Sequence, residues 1–141
     1  EHESFTEWVN ELSISKKLTL NRLGRQPHEE VLLHFSKNDI YCYPTSHEGE
    51  GHNNTINEAM MMGLIIITTK HGFLDSILTD KTAYFLNSVH EEEISKTLIS
   101  IDKERDLAQE KAHESHQLLK NKYSSAIAFK KLEEHYNRLF H

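Results

Sequence analysis

Cysteine is nearly absent: Cys42 stands alone in 141 residues. One thiol forms no internal disulfide, and such usage fits a reducing compartment. Proline occurs twice and glycine five times, so the chain is not a low-complexity linker. No apolar run approaches the ~20 residues that a membrane-spanning helix needs. Positive charge is in deficit, with 16 Lys and Arg against 22 Asp and Glu, a net charge of -6. That balance disfavours a nucleic-acid partner. The polar, acidic start does not read as a signal peptide. It begins at Glu1 without methionine, as expected of a piece of a longer polypeptide. The length suits one domain with an ordinary core.

What is present is an alternation of short apolar segments with helical patterns. Phe5, Trp8, Val9 and Leu12 have helical spacing over Ser4–Leu12. Lys17–Leu23 reads as a strand closed by Gly24. Pro27 opens a helix whose stripe is Val31, Leu32 and Phe35. Ile40–Tyr43 is a short strand stopped by Pro44. A helix from about Asn54 to Met62 follows, with Ile56, Ala59, Met60 and Gly63 as its inner face. Leu64–Thr68 is a nearly continuous apolar run rich in β-branched residues, the mark of a strand buried on both faces. Leu74–Leu78 reads as a turn or two of helix, and Ala83–Leu86 as another strand. From Glu91 the pattern is helical to the end, interrupted near Asp102 and Lys122. The expected fold is α/β, a Rossmann-like doubly wound parallel sheet with a helical carboxyl-terminal tail. Ligands of such sheets bind at the carboxyl ends of the strands. Two polar loops leave those ends: the segment containing Glu50, and Lys70-His71-Gly72.

The first loop runs Glu50-Gly51-His52-Asn53-Asn54-Thr55-Ile56-Asn57-Glu58. Two carboxylates bracket seven residues, and between them a helix begins. A helix amino terminus is a seat for phosphate. Carboxylates on either side suit hydroxyl-rich groups at the two ends of one extended ligand. Sugar, diphosphate and ribose follow that order in a nucleotide-sugar.

These segments resemble the carboxyl-terminal, donor-binding half of the group 1 retaining glycosyltransferases of the GT-B fold. Leu23–Glu30 matches the family's glycine turn and following helix. Asn38–Thr45 matches its aspartate-strand-proline segment. Glu50–Gly63 matches its E-x7-E motif and the helix after it. Ile66–Thr69 with Gly72 matches the next strand and loop. The resemblance implies that residues 1–141 are a nucleotide-sugar-binding domain truncated on its amino-terminal side, with the acceptor domain outside the chain. Glu50 and the backbone of Gly51, His52 and Asn53 would hold the donor sugar. Asn54 and Thr55 would present N–H groups to the distal phosphate. Glu58 would accept from the ribose hydroxyls, and Gly24 and Arg25 would approach the base. The implied partners are a nucleotide-sugar donor and a glycan or lipid-linked acceptor. Cofactors and metals are not expected, because the helix terminus meets the diphosphate. The implied setting is cytoplasmic, with peripheral membrane contact in the parent protein.

Departures from the family pattern are specific. Pro44–Glu50 is two residues longer than in plain members, so Glu48 competes with Glu50 as the first carboxylate. The spacing to Glu58 and the following glycine favour Glu50. Ile65 replaces a usual proline, and Phe73 and Ala83 replace common glycines. No residues correspond to the basic pair that neutralises the donor diphosphate. These departures motivate an alternative, a non-catalytic relative retained for binding or assembly. His47 with His52, and His113 with His116, lack a third ligand at zinc spacing. Met60, Met61 and Met62 read as core filling. Cys42 reads as a buried strand residue without an activating partner.

Overall fold

The computed structural model describes residues 19–140, apart from 48, 50 and 52. The expected helix over Ser4–Leu12 lies outside the described residues. The chain divides into two compact units, Glu1–Val31 and Leu32–His141. In the first, residues 19–25 are exposed and carry no strand, contrary to the strand expected over Lys17–Leu23, of which Lys17 and Leu18 lie outside the described residues. Parallel strands are stable when both faces are covered, and Thr19–Leu23 have neither face covered. Gly24 adopts φ 65, a left-handed turn that explains glycine there. Pro27 then opens helix α1, His28–Phe35: its carbonyl accepts from Glu30 and Val31 N–H at 3.1 and 3.2 Å. Val31, Leu32 and Phe35 are half-buried, so the expected stripe is there but not deep.

The second unit holds a three-stranded parallel sheet in the order β1 (Ile40–Tyr43), β2 (Ile65–Thr69), β3 (Tyr84–Leu86). Ile40 pairs with Ile65 and Tyr43 with Thr68; Ile67 pairs with Tyr84 and Thr69 with Leu86. The crossovers are α2 (Asn54–Met61) and α3 (Leu74–Ile77). Successive side chains of β2 point to opposite faces, and both faces are covered. Ile66 packs with Ile56, Ala59 and Met60 of α2 and with Leu74 of α3. Ile67 packs with Leu86, and with Ile101 of α4 (Glu91–Lys103) and Ala108 of α5 (Arg105–Leu118). Helices on both faces make the sheet doubly wound, and the apolar run of β2 is its physical cause. Cys42 is exposed, not buried as expected, because β1 is an edge of the described sheet. Desolvation by the protein around it still raises its thiol above the ordinary range.

A turn of π-helix, Leu119–Tyr123, follows α5, and α6 (Ser125–Phe140) ends the described chain. Phe129, Leu132, Tyr136 and Leu139 form an exposed row along α6, Phe129 at 71%. No helix of the described residues is long and apolar enough to cross a membrane.

Candidate functional site

The loop that leaves β1 is tied to the end of β2 by threonines. Thr68 Oγ1 donates to Tyr43 O at 2.8 Å. Thr69 Oγ1 donates to Thr45 O, and Thr45 N–H returns a bond to Thr69 Oγ1 at 3.2 Å. Thr68 and Thr69 are buried, and these bonds satisfy their hydroxyls. The exit of β1 is thereby fixed beside the Lys70-His71-Gly72 loop. Both polar loops leave the carboxyl ends of adjacent parallel strands.

Asn53 is the amino cap of α2, with φ -79 and ψ 117. Its Oδ1 accepts the Thr55 N–H at 2.9 Å and the Thr55 hydroxyl at 2.6 Å. Its carbonyl accepts from Ile56 and Asn57 N–H at 3.2 and 3.4 Å. The Thr55 N–H, expected to face a phosphate, therefore has a partner already. The Asn54 N–H has none among the described residues, and Asn54 is exposed. Glu58 lies one turn further along α2 and is half-buried. Residues four apart share a helix face, so Glu58 and Asn54 stand in one column. Gly51 is exposed, and a Cβ added there would meet nothing within 4 Å. Neither packing nor a positive φ explains that glycine, which suits close approach of a ligand.

Glu48, Glu50 and His52 lie outside the described residues. Gly24 and Arg25 belong to the first unit and are described by themselves; both are exposed. In the second loop Lys70 Nζ lies 3.5 Å from Asp80 and 4.7 Å from the Phe85 ring centre. Gly72 has φ 62. Phe73, standing where a second glycine is usual, is 65% exposed. Among the described residues no three His, Cys, Asp or Glu gather as a metal site would. His116 is committed elsewhere: Nδ1 donates to Met61 O at 2.9 Å, with Met60 O at 3.3 Å.

Sequence reasoning missed Tyr41. Its hydroxyl lies 2.7 Å from Thr55 Oγ1. Its ring meets Phe35 edge-on at 5.4 Å and stacks on Tyr43 at 6.1 Å. The two tyrosines of the short Ile40–Tyr43 strand were the available signal, because a half-buried phenol seeks a partner.

A groove of about 770 Å³ lies at the other end of the strands, lined by Asp39, Ile40, Gly63, Ile65, Arg105 and His116 among others. Ligands of doubly wound sheets bind at the carboxyl ends. The amino end of α2 therefore remains the candidate site.

Known proteins share the family and the fold. The family described as "Glycosyl transferases group 1" matches residues 1–121. The capsular polysaccharide biosynthesis glycosyltransferase CapM of Staphylococcus aureus is 25% identical over 104 residues, 73% of this chain and 27% of that protein. The chain thus spans about a quarter of the length of that relative. The carboxyl-terminal domain of the group 1 glycosyl transferase LpcC from Francisella tularensis superposes with a TM-score of 0.69 at 18% identity, covering 88% of this chain and 63% of that one. Anabaena HepE, solved in complex with UDP and glucose, superposes with a TM-score of 0.78 at 11% identity, covering 96% and 36%. These structures share the fold: a Rossmann-like, doubly wound half of a GT-B architecture with a helical tail. With the family match spanning most of its residues, the chain belongs to the group 1 glycosyl transferases.

Proposed function

We propose that this chain is the donor-binding domain of a retaining glycosyltransferase that acts without a metal ion. The carrying observation is the amino end of α2. An exposed Asn54 N–H and the Glu58 carboxylate share one helix column, beside the open Gly51, at the carboxyl end of a parallel strand. The free N–H and the helix dipole suit a diphosphate. Glu58 suits ribose hydroxyls, which donate strongly to an ionised carboxylate. Glu50, with the backbone of Gly51, His52 and Asn53, orients the sugar. Gly24 and Arg25 take the base.

In the reaction the bond between the sugar and the diphosphate breaks, and the electron pair leaves with the diphosphate. The chain's part is to bind that leaving group and to hold the sugar in position. The oxygen of an acceptor hydroxyl takes the sugar with its anomeric configuration kept, and the hydroxyl proton is released to the leaving diphosphate or to solvent. The acceptor is a glycan or a lipid-linked sugar, held by a further domain of a longer polypeptide on the cytoplasmic face of a membrane. CapM, by its name, serves capsular polysaccharide biosynthesis, which is the chemistry of such an acceptor.

The register of the first carboxylate is the test. Glu50→Gln should lower transfer by the parent enzyme and hardly change its affinity for bare nucleoside diphosphate, which has no sugar to orient. Glu48→Gln should be nearly silent, as for a solvated loop acid. Loss of transfer in Glu48→Gln alone would move the site by two residues. Silence of both would remove the sugar from this loop.

A second reading rests on Phe73, 65% exposed where the family has glycine. It makes the chain a non-catalytic binding or assembly module. Turnover of a nucleotide-sugar by the parent protein would exclude it.

A further inference from the structure

Charge is unevenly placed along the chain. Residues 119–140 carry five Lys and Arg against two Asp and Glu, a net +3. The remainder carries 11 against 20, a net -9. The basic stretch is the π-turn, with Lys120 and Lys122, and α6, with Lys130, Lys131 and Arg138. Over residues 125–139 of α6 every residue is exposed except Ile127, which is half-buried. Phe129, Leu132 and Leu139 are 71, 64 and 65% exposed. At 3.6 residues per turn these three fall on one side of the helix, and Ile127 lies roughly 120–160° round from them. The covered side of α6 is therefore that of Ile127, and the apolar row looks outward. A 16-residue helix this exposed gains little stability from packing. The row is also small for a pairing of two copies. Its three side chains expose on the order of 400 Å² per copy, so a pair would bury about 800 Å², where stable interfaces need ~1,200–2,000 Å².

We propose that α6, with the π-turn before it, is a binding surface for anionic lipid headgroups and lies in the plane of a bilayer interface. Phe129, Leu132 and Leu139 enter the acyl boundary. The aliphatic stems of Lys130, Lys131 and Arg138 run along the helix and bring their charges to the headgroups. Lys120 and Lys122 lengthen the basic stretch. The net -9 of the remainder repels an anionic surface, so the tail sets the orientation. One acid opposes the arrangement. Glu133 lies four residues after Phe129 and so beside the row. The proposal goes beyond the donor-binding reading, for which it supplies an element of membrane contact. Lipid binding is measured without nucleotide, so the two fail separately.

The experiment is flotation of the 141-residue chain with phosphatidylcholine vesicles, with and without phosphatidylglycerol. The chain should float with the mixed vesicles, stay behind with phosphatidylcholine alone, and be released by salt. Lys130→Gln with Lys131→Gln should weaken binding roughly fivefold per charge removed. Glu133→Gln should tighten it by a similar factor. Lys96→Gln with Lys103→Gln makes the same charge change on α4 and should leave binding as it was. Phe129→Ser with Leu132→Ser should weaken binding on the order of tenfold or more, with the thermal unfolding midpoint unchanged, because both side chains are exposed. Equal flotation with both vesicle types, or none with either, would overturn the proposal. An equal loss in the α4 control would overturn it too, since charge alone would then suffice. Two further results would give the row to another occupant and overturn it. One is a concentration-dependent mass in sedimentation that Phe129→Ser abolishes, which means a second copy. The other is protection of the α6 amides from hydrogen exchange in the parent protein without vesicles, which means another part of that polypeptide.

Discussion

At its amino end α2 is closed by side chains, and at its carboxyl end it is closed by backbone. Asn53 and Thr55 close the first end, with Tyr41 behind them. At the second end Leu64 N–H donates to Ala59 O at 3.0 Å and Gly63 N–H to Met60 O at 3.1 Å, with Gly63 at φ 74. That is a Schellman closure, and the buried Leu64 seals it. His116 of α5 adds a donor to the last carbonyls. A side-chain cap can be exchanged for another acceptor without unwinding the helix. A backbone closure cannot be. The exchangeable end faces the polar loops, and the fixed end faces the body. On the donor-binding proposal, ligand exchange belongs to the first end and anchoring to the second.

The comparison presumes that α2 is held on the sheet by its middle. Met60 is fully buried there, against Ile66 and Leu74. Met60→Ala should destabilise the fold by about 2–5 kcal/mol through lost contacts and a residual cavity. Urea denaturation measures it, and a change below ~1 kcal/mol would mean that α2 is not docked as described. The next effect concerns binding. Glu58→Ala should weaken nucleoside diphosphate by about 1.5–3 kcal/mol, the range for a bond to a charged group, with the urea midpoint unchanged. Glu58→Gln should lose less, because an acceptor oxygen remains. Calorimetric titration decides, and equal affinity in Glu58→Ala would take the ribose away from α2.

Much of this arrangement is legible in the residues. The nearly continuous apolar run at 64–68 announces β2, since a strand covered on both faces has no reason to alternate. Asn53 and Gly63 bracket α2 by cap chemistry that is local. The helix breaks expected near Asp102 and Lys122 occur at Glu104 and at Leu119–Ser124. What the residues conceal is non-local. Tyr41 and Thr55 are fourteen residues apart, and they meet only because α2 returns across β1. Whether Cys42 is buried depends on which strand of the sheet is an edge. The pattern of Lys17–Leu23 signals a strand, but its described part, residues 19–23, is exposed and carries none. At the site, the motif locates Glu58 and the helix start. It does not reveal that the Thr55 N–H is already capped.

At the fixed end of α2 the expected effects are smaller. Gly63→Ala forces a side chain into φ 74, while a Cβ there meets nothing within 4 Å. Strain without a clash should cost about 1–2 kcal/mol of stability, read by urea denaturation. A loss well above that would mean that the closure also carries packing.

The smallest effect belongs to His116. Carbonyl oxygens only accept, so its Nδ1 carries the proton shared between Met60 O and Met61 O. Removing that donor in His116→Ala should cost about 0.5–1.5 kcal/mol. His116→Asn places an amide N–H near the Nδ1 position and should restore most of it. Anchoring from α5 predicts that both variants bind nucleoside diphosphate as the wild type does. Nucleotide release and helix anchoring then reside at opposite ends of α2. A loss of affinity in His116→Ala that His116→Asn repairs would break the division, because the carboxyl end would then set the aim of the amino end. α2 would in that case act as one rigid lever from α5 to the diphosphate seat.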